Sequence, residues 1–267
     1  LESQTLAWQT LSEVVTRTPL APGLVVITFK NGQIAHNGRA GQFVNVLPKI
    51  GAVGQILRRP FSVYQRSHDL VSIIVQVAGR GTELIAATQP GEMLDVLGPL
   101  GQPWKFDSDD FQDAILVIGG VGVASMPLLT EALSDAGKKI TTYYGARNGR
   151  LFAKEGLVNL ELTTDDGSEG FHGMNITLLD RHLTEGRFTR AKLFVCGPTG
   201  MMRAAKALAE KFDVLCELSL ETEMACGIGI CQGCPVVTDE ATFAATGKRF
   251  RLVCTEGPSF LSKLIEI

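Results

Sequence analysis

Four of the chain's six cysteines are spaced for metal chemistry: Cys226, Cys231, Cys234 and Cys254 form C-x4-C-x2-C-x19-C. A triplet followed by a distant single thiol matches the ligand spacing of a plant-type [2Fe–2S] centre. Four soft thiolates suit two irons, and the loop must wrap the cluster closely. Gly227, Gly229 and Gly233 suit such a loop, because a backbone without side chains bends tightly and turns its N–H groups toward sulfur. Zinc is the competing ligand, although zinc sites place two C-x2–4-C knuckles apart rather than a triplet and a single. Disulfides are a third use, but a bond between Cys231 and Cys234 would close almost no loop. Cys216, in an apolar strand, reads as a core residue.

Two further stretches carry residues suited to phosphate and ring chemistry. ILRRPFSV (56–63) sets two arginines, a proline and a serine at the end of an apolar segment. Arginine forks match pyrophosphate oxygens, and a serine hydroxyl can reach a flavin ring nitrogen; taken alone, the same residues also describe a surface loop. AGRGTELI (78–85) puts Gly81 and Thr82 where a helix starts, a seat for phosphate. VIGGVGVASMPLL (117–129) reads as strand, glycine turn and helix, with Ser125 in place of the third glycine of the dinucleotide fingerprint. FVCGPTGMM (194–202) repeats the strand-to-helix turn, with Cys196 and Gly197 at a strand's carboxyl end, where ligands bind in such sheets. Cys196 reads equally as a buried strand cysteine. Arg147 and Arg150 follow a further strand; they read as exposed arginines or as contacts to a 2′-phosphate, which leaves NAD and NADP both open.

These residues need rigid elements to position them. Residues 24–29, 42–48, 70–77 and 93–101 are short runs with strand character, each ended by Gly, Pro or Asn. Their close spacing predicts a small antiparallel β-barrel over residues 1–106. The acidic stretch 105–113 reads as a solvated linker. Strands at 114–120, 139–146, 191–198 and 214–220 then alternate with helical segments, which predicts a parallel α/β nucleotide-binding domain over 107–215. Residues 216–267 form a small cluster-binding tail. The 267-residue chain is 45% hydrophobic with a net charge of −3, an ordinary globular composition that argues against nucleic acid and anionic membranes as partners. Its apolar runs are broken by glycine, so none reads as a membrane span. LESQTLAWQT lacks the features of a secretory signal, and the cysteines are too few for a disulfide scaffold, so a reducing cytoplasm is expected.

Taken together, RRPFS, GGVGVASMPLL, CGPTGMM and LETEMACGIGICQGC with RLVCTEGPSF resemble the ferredoxin-reductase superfamily. More narrowly they resemble the electron-transfer subunits of class B dihydroorotate dehydrogenases, over nearly the whole chain. DVLGPLG (95–101) and TTDDGSEGFHG (163–173) are also similar to stretches of that family. The resemblance implies a relay between NAD(H), FAD and a [2Fe–2S] cluster. It further implies a partner, an FMN-containing catalytic subunit that oxidises dihydroorotate in pyrimidine biosynthesis, assembled two plus two. By the family motif Arg59, Pro60, Phe61 and Ser62 would meet the flavin, with Ile74, Val75 and Gln76. Gly81 and Thr82 would meet its phosphates, and Gly120, Gly122, Cys196 and Gly197 would line the nicotinamide side. Val75 and Gln76 stand where the family usually has Tyr-Arg, so one positive contact to the flavin is absent. Two other uses stay open: a reductase for another flavoenzyme, of ferredoxin:NADP or sulfide type, and a non-enzymatic nucleotide sensor with a zinc-stapled tail.

Overall fold

The computed structural model describes residues 7–48 and 56–267, so residues 1–6 of the amino-terminal stretch lie outside the described residues. The first part runs β1 (Trp8–Ala21), β2 (Leu24–Lys30), α1 (Gly32–Asn37), β3 (Phe43–Leu47), β4 (Arg59–Ser62), β5 (Gln65–Ser67), β6 (Leu70–Gln76), α2 (Arg80–Ala86) and β7 (Met93–Leu100). These strands form one antiparallel sheet in the order β4-β3-β7-β1-β2-β6-β5. The sheet curls until β4 lies against β6, giving the barrel. Its interior is set by the apolar residues of β2, β3 and β6: Ile27, Phe29, Val44, Val46, Val71 and Ile73 are wholly buried. Each such side chain contributes roughly 1.5–3 kcal/mol over its exposed state.

The second part continues with β8 (Asp113–Gly119), a 3-10 turn at Gly120–Ser125, α3 (Pro127–Asp135), β9 (Lys139–Ala146), β10 (Leu160–Thr164), β11 (Phe171–His172), α4 (Asn175–Thr184), β12 (Ala191–Cys196), α5 (Thr199–Phe212) and β13 (Leu215–Ser219). The strand order is β11-β10-β9-β8-β12-β13, all parallel. From Ala114 to Gly119, β8 is buried along its whole length, as expected for a strand covered on both faces. Chain order reverses between β8 and β12, so their carboxyl ends open a crevice at the topological switch point.

The tail comprises β14 (Pro235–Val237), α6 (Glu240–Thr246), β15 (Phe250–Leu252), α7 (Val253–Glu256) and β16 (Ser259–Leu261). β16 returns to the large sheet and pairs antiparallel with β13, which the strand pattern of the sequence does not disclose. The boundary expected between residues 215 and 216 falls inside β13, itself a full member of that sheet.

Barrel and α/β domain share a core in which Val63 and Tyr64 join Leu116, Ile118 and Phe194. The linker between them is only partly solvated. Asp107, Asp109 and Asp110 are exposed, but Phe111 and Trp104 are buried against Phe194. Beneath them Lys192 and Glu217 form a buried ion pair at 2.8 Å. Lys192 Nζ also donates to the Lys105 carbonyl, and the Lys105 N–H donates to Glu217. Burial pushes the Glu217 carboxyl above its usual range, and the Lys192 charge opposes that shift. Removing either partner of such a pair costs about 3–5 kcal/mol, because the other charge stays buried.

Candidate functional site

The β14–β15 hairpin explains the long gap between the third and fourth cysteines. Pro235 stands opposite Leu252, and the Val253 N–H donates to the Cys234 carbonyl at 2.9 Å. Cys234 and Cys254, both buried, therefore flank the paired end of the hairpin, and the nineteen residues between them supply its strands and α6. The other two ligands sit on the preceding loop, Cys226 half-buried and Cys231 exposed. That loop turns through left-handed backbone at Gly227 (φ 73°) and Gly229 (φ 81°), which favours glycine. The turns bring the N–H groups of Ile228 and Cys231 to 3.5 and 3.4 Å from Cys226 Sγ.

Cys226 shares a side-chain hydrogen bond with Cys231, and Cys254 with Cys234, while the charge of Cys226 also reaches Cys254. Partial burial raises the Cys226 pKa, but the N–H groups of Cys231, Ile228 and Ile230 outweigh it and bring the thiol down to about 7. Burial, followed by the neighbouring Cys234 thiol, pushes Cys254 up to about 12. All six cysteines are free thiols, and among the described residues no three metal-binding side chains gather around one ion position. Two thiols for each of two irons, with amide N–H groups aimed at sulfur, is the donor set of a two-iron cluster. The residues present fit that group.

On the barrel, Arg59, Pro60, Phe61 and Ser62 make up β4, each half-buried. Arg59 packs against α2 so closely that a Cβ on Gly81 would lie 2.8 Å from Arg59 Nε. Glycine at 81 thus leaves room for the guanidinium, a cradle suited to a pyrophosphate. The Thr82 hydroxyl turns inward on its own helix, accepting from the N–H groups of Ala78 and Gly79 at 2.9 and 3.1 Å. On β6, Ile74 and Val75 are buried in the core and Gln76 is exposed. Arg58 has a different role from Arg59. It pairs with Asp95 at 2.8 Å and donates to the carbonyls of Asn45 and Asp95, so it braces β3 and β7 rather than facing a phosphate.

The crevice at the switch point holds a cavity of about 690 Å³ whose wall includes Gly120, Gly122, Gly197, Gln76 and Glu221. Gly122 is required by close approach: a Cβ there would lie 2.2 Å from the Cys196 carbonyl oxygen. Gly120, at φ 53°, makes the turn that starts the 3-10 segment. Cys196 closes β12 beside this wall. Burial, then the charge of Glu221, pushes its thiol up to about 12, against smaller opposing hydrogen bonds with Ser125 and Ser219. Arg147 and Asp165 also line the cavity, whereas Arg150 faces a separate surface groove. The structure thus brings Gln76 of the barrel to the same cavity wall as Gly120, Gly122 and Gly197. Sequence patterns missed Glu221 and Ser219, because the end of β13 meets Cys196 and Ser125 only once β8, β12 and β13 lie side by side in the sheet.

The model of the iron–sulfur cluster binding domain of dihydroorotate dehydrogenase B matches residues 221–266. The dihydroorotate dehydrogenase B (NAD(+)) electron transfer subunit of Enterococcus faecalis is 34% identical over 259 residues, covering 94% of this chain and 96% of the relative. Its counterpart in Desulforamulus reducens is 34% identical over 251 residues, covering 91% and 92%. Among solved structures, an NADH-dependent reduced ferredoxin-NADP oxidoreductase studied for flavin-based electron bifurcation superposes with a TM-score of 0.84 at 27% identity, over 96% of this chain and 90% of its own. A ferredoxin NADP+ reductase from Neisseria gonorrhoeae shares the fold at a TM-score of 0.63 and 14% identity, over 76% and 91%. With a cluster-binding tail, a reductase fold and relatives matched from end to end, this chain belongs to the family of dihydroorotate dehydrogenase B electron-transfer subunits.

Proposed function

We propose that the chain carries electrons between NAD(H), an FAD on the barrel and a [2Fe–2S] cluster in the tail, and exchanges them with an FMN-containing subunit that oxidises dihydroorotate. The assembly is two copies of each subunit, acting in pyrimidine biosynthesis in the cytoplasm. One observation carries the reading: Asn45 of β3, the strand hydrogen-bonded to the Arg59–Ser62 strand, donates toward the carbonyl of Cys226, the first of the four cysteines. Cofactor sites that touch through one sheet suit a relay. Free thiols and thiolate ligation suit reducing surroundings, and among the described residues no helix is long and apolar enough to cross a membrane.

When bound, FAD takes the nicotinamide's electrons as a pair and releases them singly, and the cluster carries one at a time. The chain's residues bind and orient. Arg59 with Gly81 and Thr82 receives the flavin's phosphates, and Pro60, Phe61 and Ser62, with the backbone of Ile74, Val75 and Gln76, receive its ring. Gly120, Gly122, Cys196 and Gly197 admit the nicotinamide. The Cys196 thiol stays protonated and so acts as a neutral neighbour rather than a nucleophile. Cys226, Cys231, Cys234 and Cys254 hold the cluster, and exposed Ile228 and Ile230 offer the partner an apolar surface beside it.

Co-expression with an FMN-containing, dihydroorotate-oxidising subunit tests the partner: the complex should reduce NAD+ with dihydroorotate. The close superposition on the ferredoxin-NADP oxidoreductase favours a second reading, a reductase subunit for another flavoenzyme. Failure of the two subunits to associate would select it.

A further inference from the structure

Two contacts tie the cysteine loops to the barrel rather than to the sheet that carries the tail. Gln102, just past β7, donates from Nε2 to the Thr255 carbonyl at 2.9 Å, one residue beyond Cys254. A Cβ on the neighbouring Gly101 would lie 2.7 Å from the Gly257 carbonyl oxygen. On the other side Asn45 of β3 donates from Nδ2 toward the Cys226 carbonyl at 3.5 Å. The fit is closest at the next residue, where a Cβ on Gly227 would stand 2.1 Å from Asn45 Nδ2.

Asn45 is a costly residue for its position. It is wholly buried, and its Oδ1 has no partner. A buried amide with an unmet acceptor serves a barrel core worse than an aliphatic side chain would. Its backbone is held in place from both sides. It stands opposite Pro60 of β4 and Leu97 of β7, and its carbonyl accepts from Arg58, whose other nitrogen is paired with Asp95. Gln9 secures the second Asp95 oxygen at 3.0 Å. A braced backbone thus presents one amide to the first cysteine of the loop.

We infer that Asn45 is a positioning residue that locks the Cys226 loop to the flavin-bearing strand and thereby sets electron transfer between flavin and cluster. The inference rests on the cluster reading of the tail. Asn45 acts through the loop: by holding Cys226 and Gly227 it keeps the Ile228 and Cys231 N–H groups on the Cys226 sulfur. Such bonds favour the cluster carrying an added electron. Arg58 and Asp95 act one step further back, by fixing Asn45.

The test uses the full chain loaded with FAD and cluster, as parent, Asn45→Leu and Asn45→Asp. Leucine removes both polar groups while keeping the same branched heavy-atom skeleton, and aspartate keeps the shape but loses the donor. NADH delivers an electron pair to the flavin, of which the cluster takes one. Flavin bleaching by NADH should keep its parent rate in both variants, while the following reduction of the cluster slows at least tenfold. The equilibrium between flavin and cluster should shift about tenfold toward the flavin, or about 59 mV for one electron. If a variant loses its cluster but keeps its flavin, the positioning role is also upheld. Unchanged cluster reduction and potential in both loaded variants would overturn it. So would joint loss of flavin and cluster in both, which would make Asn45 an ordinary core residue. A parent chain that binds no iron would instead refute the cluster reading, before any variant is compared.

Discussion

The thiols of Cys226 and Cys196 differ in acidity because their neighbours differ. Around Cys226, backbone N–H groups converge on a partly open sulfur and outweigh its desolvation, so its thiol titrates near 7. Cys196 closes a buried strand near the charge of Glu221 and titrates near 12. A lowered thiol pKa means that the reactive thiolate appears as pH rises through that value. In the cluster-free chain, alkylation of Cys226 by iodoacetamide should therefore rise between pH 6 and pH 8 and then level off. Cys196 and Cys216 should stay unmodified across that range, and cluster loading should protect Cys226. Mass mapping of the alkylated sites checks this, and early labelling of Cys196 would contradict it. Thiol spacing was legible in the sequence, whereas thiol acidity was not, since it depends on loop geometry and burial. The arginines 58 and 59 make the same point: adjacent and alike in sequence, they divide because Arg58 pairs with Asp95 whereas Arg59 packs against Gly81 of α2.

At the scale of elements, the strands that the sequence discloses are those whose apolar residues face a core. β2, β6, β7 and β12 fall close to where their patterns place them. β1 does not declare itself, although it sits mid-sheet between β7 and β2. Along WQTLSEVVTRTPLA only Ser12 and Val14 are buried, so its place comes from hydrogen-bond pairing rather than from an apolar face. β16 is three residues long, too short to show a period. The glycine turn after β8 was legible as a turn between strand and helix, but the structure shows which glycine bears the close contact. Gly122→Ala would press a methyl group onto the Cys196 carbonyl. Overpacking of this kind costs about 1–3 kcal/mol. The substitution should lower the urea midpoint and slow NADH-driven flavin reduction at least tenfold, with iron content unchanged. A normal reduction rate would remove Gly122 from the nicotinamide wall.

Across the whole molecule, no part stands by itself. Phe43 and Leu100 of the barrel pack in the same core as Cys234, Cys254 and Phe260 of the tail, and the barrel shares its other core with the α/β sheet. The sequence disclosed three chemically distinct parts and their order. It did not disclose that the cluster loops lean on the barrel, since Asn45 and Cys226 stand 181 positions apart. This arrangement fits a fixed path between cofactors rather than a swinging tail. Anaerobic titration of the purified chain with NADH, followed by visible absorption and electron paramagnetic resonance, tests the relay most directly. In the parent the flavin band should bleach and the signal of a reduced [2Fe–2S] cluster should follow; in Cys231→Ala the flavin should bleach with no cluster signal. A colourless protein that carries zinc in place of iron and flavin would contradict the account, as would loss of flavin together with the cluster in Cys231→Ala.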